Sequence, residues 1–276
     1  RHLIQARCTA VACMGTKEDD WLRVVQLWQQ VPNKVIPSFG VHPWLAHLHA
    51  SDTCPILDVP VESAAQTPSE AAATDRLMAI QPSTTWKDHL LQLLHLYPSA
   101  CVGECGLDRA AVIPGTKVRV SLAHQCALLR HHLQLSAQLQ RPISLHCVQA
   151  TGAMQDVLSS LPATCLPPAI MLHSFGGSPE SITPLLRLSN GVGSRLWFSF
   201  NCGGRQNPAR LVARIQAVPD NRLLLESDQE SVLGLDEALT AIAHVVAEAK
   251  GWSTEQTSAQ CTANFNSFYS GHLPDP

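Results

Sequence analysis

The 276-residue chain holds no apolar run approaching the roughly 20 residues needed to cross a bilayer, so a membrane-embedded protein is not expected. No secretory signal and no internal repeat are visible. None of the ten cysteines forms a C-x-x-C pair, which argues against a zinc ribbon or a thioredoxin-like centre. Charge is also sparse, at 15% of residues with a net −3. The basic footprint of a nonspecific nucleic-acid-binding domain, with a pI above about 9, is therefore missing, although a local basic groove is compatible with these totals. The apolar content of 45% and the length suit one large domain with a substantial core, spanning 1–276. Most of the cysteines fall in apolar strands or helices, where a reduced thiol behaves as a small hydrophobe. Free thiols point to an intracellular compartment, cytoplasmic or nuclear.

Strand and helix patterns alternate along the chain. Strands are predicted at Thr9–Met14, Val35–Phe39, a run ending at Glu104, Ile143–Cys147, Ala169–His173, Arg195–Phe200 and Arg222–Glu226. Helices are predicted between them, at about 17–31, 86–96, 116–140, 152–161, 179–188, 208–217 and 235–250. In the longest, Leu122, Cys126, Leu129, Leu133 and Ala137 recur at steps of three and four and define one buried stripe. Ser253 with Gln256 forms a capping box that opens a last helix reaching about Tyr269. Such alternation favours an α/β architecture with parallel strands, here a TIM-type (β/α)8 barrel with seven of eight strands identifiable. Residues 51–85 differ: they are rich in Ser, Thr, Ala and Pro, and read as a flexible surface insertion or, more sharply, a partner-docking loop.

Four of the strands stop at residues able to hold a metal. They are Val102-Gly103-Glu104, Ser144-Leu145-His146, Met171-Leu172-His173 and Leu225-Glu226-Ser227-Asp228. One carboxylate, two imidazoles and a second carboxylate at different strand ends match the layout of a barrel metallohydrolase, whose βα loops open there. Of the thirteen histidines, His89, His95, His131 and His132 lie on predicted helices and read as surface or packing residues. His42 divides between substrate contact and packing against Pro43 and Trp44.

In series, Phe39-Gly40-Val41-His42-Pro43-Trp44, Val102-Gly103-Glu104-Cys105-Gly106-Leu107-Asp108, Pro142-Ile143-Ser144-Leu145-His146-Cys147, Leu172-His173-Ser174-Phe175-Gly176-Gly177 and Leu225-Glu226-Ser227-Asp228 resemble the TatD family of metal-dependent hydrolases. They follow the family's order and cover nearly the whole chain outside the insertion. The resemblance implies metal-assisted phosphodiester hydrolysis, typically of DNA and often exonucleolytic. It implies that Glu104 bridges the metals, that His146 and His173 are ligands, that Asp228 is a ligand or water-orienting base, and that His42 lies beside the substrate. It also implies two divalent ions, Mg, Mn or Zn, in an intact site. Two departures bear on this. The family's opening His-x-His strand is missing near the N-terminus, and the only H-x-H, His47-Leu48-His49, falls elsewhere. Because the chain opens at Arg1 rather than Met, the expectation is a lost first βα segment, leaving one ion well held and activity impaired. The proline that commonly follows the strand-end aspartate is replaced, as the run reads Ser227-Asp228-Gln229-Glu230. Two alternatives stay open: a hydrolase of another ester or amide bond, and a noncatalytic interaction protein on the same barrel.

Overall fold

The computed structural model describes residues 2–51, 54–58, 67–204 and 206–274. A short helix α1 (His2–Gln5) precedes strand β1 (Val11–Met14), helix α2 (Glu18–Gln30) and β2 (Val35–Phe39). A 3₁₀ segment (Pro43–Leu48), α3 (Pro68–Met78) and α4 (Trp86–Leu96) lead to β3 (Cys101–Asp108). Then follow α5 (Leu122–Gln138), β4 (Ile143–Val148), α6 (Thr151–Ser159), β5 (Ile170–Leu172), α7 (Pro179–Leu186), α8 (Val192–Arg195) and β6 (Leu196–Phe200). The chain ends with α9 (Pro208–Ala217), β7 (Leu223–Leu225), α10 (Leu235–Lys250) and α11 (Thr254–Phe268), the last capped by Ser253 and Gln256 as the sequence predicts.

The seven strands form one parallel sheet in strict chain order, β1 to β7, curled into an incomplete barrel. Among the described residues no pairing joins β7 to β1. Both faces of the sheet are buried, as parallel sheets require. On the outer face Phe39, Val102, Ile143, Leu145, Ile170, Leu172, Phe198 and Leu223 pack against the surrounding helices. The alternate positions, Ile36, Cys101, Met171, Trp197 and Leu224, face inward and meet Phe268 and Tyr269 from the end of α11, which plug the floor of the barrel. The cysteines are thiols rather than disulfides. No described helix is long and apolar enough to cross a membrane.

Two elements depart from expectation. Helix α5 begins at Leu122 rather than near Thr116, because Val118 is buried in the core and Val120 pairs with Leu57 in an antiparallel bridge. Its buried face is also wider than the predicted stripe, and takes in His124, Gln125, His132 and Ser136. Within 51–85, residues 68–78 form α3, capped by Thr67 and Glu70, with Ala73 and Leu77 buried. That helix escaped notice because a short Ala-rich segment anchored by Ala73 and Leu77 shows little hydrophobic periodicity. Residues 52–53 and 59–66 of this stretch lie outside the described residues.

Strand β3 holds the unusual geometry. Its register against β4 slips between Val102 and Cys105, so that Gly103 and Glu104 together oppose Ser144. This bulge places the Glu104 side chain on the inner face, where regular alternation would have put only Gly103. Two glycines make the close approach possible. A Cβ on Gly103 (φ +130°) would lie 2.7 Å from the Ser144 carbonyl oxygen, and one on Gly106 (φ +149°) 2.0 Å from that of His146.

Gly106→Ala is therefore expected to break the β3–β4 register and destabilise the fold by more than about 3 kcal/mol. Gly152→Ala, in α6 with no neighbour within 4 Å of the new methyl, should be neutral or stabilise by up to about 1 kcal/mol. Urea unfolding of the two variants against the parent checks the contrast.

Candidate active site

Two-residue periodicity carries the inner face of each strand into the open end of the barrel. Ser144 leads to His146, Met171 to His173, Trp197 and Ser199 to Asn201, and Leu224 to Glu226. In β3, Cys105 and Leu107 point outward into the helical layer, which leaves Glu104, Gly106 and Asp108 on the inner face. The sheet thus brings Glu104, His146, His173 and Asp228 together, with His42 arriving from the loop after β2.

The side chains form two groups that share an edge at Glu104. In the first, His42, Glu104 and His146 offer donor atoms within 4.8 Å of one another. His146 Nδ1 lies 3.0 Å from Glu104 Oε1 and 3.1 Å from His42 Nε2. In the second, His173, Glu226 and Asp228 do the same. His173 Nε2 is 3.1 Å from Asp228 Oδ1 and 3.8 Å from Glu104 Oε1. Asp228 turns the chain away from β7 with φ +51°, a left-handed conformation that a short polar side chain tolerates.

Behind each imidazole sits a carboxylate that fixes its ring. His146 Nε2 lies 3.2 Å from Asp108 Oδ2, and His173 Nδ1 2.7 Å from Glu226 Oε2. Asp108 also accepts from the Trp44 indole N–H at 2.7 Å and from the Ala110 and Ala111 amides. Glu226 accepts from Ser199 and, at 3.0 Å, from Asn201. The pattern is the one that orients metal-binding histidines: one ring nitrogen donates to a carboxylate, and the other is left facing the centre. His146 Nδ1 and His173 Nε2 are the nitrogens so left, both directed at Glu104. The donor set of imidazoles and carboxylates fits divalent cations.

The charges support one another. Burial would raise the Glu104 carboxyl, but the His173 charge and hydrogen bonds from His146 and His42 hold it well below its ordinary value. Burial likewise opposes charge on His146 and His173. The first is nevertheless raised by Asp108 and Glu104, and the second well above its usual range by Glu226 and Glu104. For Asp108 the same burial cost is overcome by hydrogen bonds from His146 and Trp44, leaving it at about 2. His42 is pulled down, chiefly by burial. Asp228 is lowered by the hydrogen bond from His173.

Asp108, Glu226, Asn201 and Trp44 were not singled out as site residues from sequence. Asp108 and Glu226 had a legible signal: each keeps the inward parity of Glu104 and Leu224 in its own strand. Asn201 continues the Trp197–Ser199 parity on a strand without a motif.

A parallel barrel whose strand ends converge on two histidine–carboxylate groups belongs with the metal-dependent hydrolases. The comparisons narrow the class. The model of the family described as TatD related DNase matches residues 2–270. A curated relative, "Cut9-interacting protein scn1" of Schizosaccharomyces pombe, is 28% identical over 92% of this chain and 90% of its own length. "3'-5' ssDNA/RNA exonuclease TatD" of Musicola paradisiaca is 30% identical over 56% of this chain and 55% of its own. The crystal structure of YJJV, a TatD homologue from Escherichia coli, superposes with a TM-score of 0.68 at 18% identity, covering all of this chain and 90% of that one. The chain belongs to the TatD related DNase family, whose members are metal-dependent.

One buried contact beneath the site sets a pH dependence. His132 of α5 donates through Nδ1 to the Leu128 carbonyl at 2.7 Å and accepts through Nε2 from the Val41 amide at 3.2 Å, next to His42. Its ring is fully buried and stacked on Trp86. A protonated ring cannot accept from Val41, and burial holds the residue down at about 3. Its folded pKa thus lies below the unfolded value near 6.5, so the unfolded chain binds the extra proton. Stability from this residue is complete above about pH 6.5 and is lost as pH falls toward 3, by up to about 1.4 kcal/mol per pH unit. His47, lowered to about 4 chiefly by burial, adds to the same slope. Urea midpoints at pH 7.5, 6 and 5 should fall in that order for the parent. His132→Phe should be weaker at pH 7.5 but lose stability less steeply below pH 6; an unchanged slope would contradict the assignment.

Proposed function

We propose that this chain hydrolyses phosphodiester bonds with divalent metal ions, acting on DNA as a deoxyribonuclease of exonuclease character. The observation that carries the reading is Glu104. Its Oε1 faces His146 Nδ1 on one side and His173 Nε2 on the other, each imidazole being backed by its own carboxylate. A carboxylate placed between two imidazoles in this way could contribute to ions on either side.

In this reading Glu104 and His146, with His42 beside them, would hold one ion, and Glu104, His173 and Asp228 would hold a second. Glu226 and Asp108 orient the two imidazoles. Mixed imidazole and carboxylate donors accommodate zinc or manganese, and magnesium less readily. Divalent cations held there would supply Lewis acidity toward a phosphoryl oxygen and lower the pKa of water. Asp228, with 46% of its side chain exposed, is the carboxylate best placed to meet solvent and orient the attacking water. Asn201 donates to Glu226 and lies 3.5 Å from Asp228 Oδ2, which steadies both acids while the charge in the site changes.

A second reading has one observation in its favour. The relative matched along nearly its full length carries a name for interaction with another protein. In this reading the barrel is a noncatalytic binding protein, and the 51–85 stretch supplies its docking surface.

The test is hydrolysis of a single-stranded oligonucleotide with manganese, magnesium or zinc, with and without chelator. The expected result is metal-dependent cleavage that falls at least about a hundredfold in Glu104→Gln. Cleavage that is indifferent to both chelator and substitution would overturn the assignment.

A further inference from the structure

Trp44 is an anomaly among the six tryptophans. Trp21, Trp86 and Trp197 are buried at 5% exposure or less, whereas Trp44 is 55% exposed. It is nonetheless tightly held. Its indole N–H is bonded to the buried Asp108 carboxylate, and the ring stands edge-on to His42 with centroids 4.8 Å apart and 6.0 Å from His146. Its backbone amide donates to His42 Nδ1 at 3.2 Å. A large aromatic ring left to water yet pinned against the reacting groups is not explained by packing, since apolar burial would stabilise the fold more.

The surroundings point to the kind of ligand. Val148, the register partner of Asp108 across β3 and β4, is 37% exposed, and Val112 in the loop after β3 is 41% exposed. Arg109 directly follows Asp108 at the surface, and its carbonyl is bonded to the Arg119 guanidinium. The segment around Asp108, which holds the indole, therefore presents exposed apolar groups and two cations. Across the site Asp228 presents an exposed carboxylate. Single-stranded nucleic acid is bound by this combination: bases stack on aromatic faces, and basic side chains meet the backbone between them.

We propose that Trp44 is a substrate-binding residue that stacks an unpaired nucleobase beside the scissile phosphodiester, with Asp108 fixing the indole through its N–H. The proposal rests on the phosphodiesterase reading and adds to it the residue that meets the base next to the cleaved bond. A duplex end, whose bases are already stacked on one another, is a poorer match. Because one carboxylate orients both His146 and Trp44, the base and the reacting phosphate are set in one frame.

The experiment compares the parent, Trp44→Phe and Trp44→Ala on an eight-nucleotide single-stranded thymidylate and on the same strand made abasic throughout, in manganese buffer. Binding is read by fluorescence anisotropy in the Glu104→Gln background, and cleavage in the otherwise unaltered chain. Trp44→Ala should weaken binding of the base-bearing strand by about tenfold or more and raise KM more than it lowers kcat, with the abasic strand little affected. Trp44→Phe, which keeps the ring and loses the N–H, should recover most of that affinity. Equal losses on both strands would overturn stacking and reduce Trp44 to a support for Asp108; no loss on either would overturn it outright. Cleavage by the parent reads the underlying reaction separately. Cleavage without a base-dependent effect of Trp44 would sink only the stacking. Binding that depends on Trp44, without cleavage by the parent, would remove the hydrolase and leave the stacking site standing.

Discussion

Everything at the mouth of the barrel depends on keeping a charge on Glu104 where water is nearly excluded. An ionised carboxylate at 8% exposure is costly unless partners surround it. Here those partners are imidazoles from β4, from β5 and from the loop after β2, and each imidazole is anchored by an acid or a backbone amide of its own. Removing one member leaves its neighbours as uncompensated buried charges or dipoles. The geometry is therefore enforced collectively rather than by any single contact. The bulge at Gly103-Glu104 is the backbone's share in this arrangement, because it turns the carboxylate inward at a level where the two neighbouring strands present histidines.

Much of this was legible in the sequence. The apolar runs at Val35–Phe39 and Ile143–Val148 and the helices at Trp86–Leu96, Pro208–Ala217 and Leu235–Lys250 are found where hydrophobic periodicity and flanking Pro or Gly place them. The architecture follows from their alternation. Glu104, His146, His173 and Asp228 stood out because each ends an apolar run. Asp108 keeps the parity of Glu104 and was legible through it; that this parity faces inward at all depends on the bulge after Val102, a tertiary event without a short-range signature. Helix α3 was hidden for a different reason: its sequence is compatible with a loop until Ala73 and Leu77 find the core. The histidines under the site were legible only as packing. That His132 must be neutral emerges from its two opposed hydrogen bonds.

The acids behind the imidazoles give the site a division of labour. Asp108 and Glu226 each combine an imidazole contact with contacts to neutral donors: an indole and two backbone amides on one side, a hydroxyl and an amide side chain on the other. Each half of the centre is thus braced by its own strand ends and the loops that follow them. Glu104 is the junction between halves that otherwise belong to separate parts of the sheet.

The sheet runs in chain order, each strand beside its sequence neighbour. Most contacts between strands therefore close loops of one βα unit, and the framework can grow outward from any hairpin-sized nucleus of the chain. The centre obeys a different rule, because nearly the whole sheet separates His42 from Asp228 along the chain. Partly folded molecules will hold abundant helix and strand while their acids and imidazoles stay apart. The group of His173, Glu226 and Asp228 is complete only with the final strand, so a cation held there would report full assembly where helix content cannot.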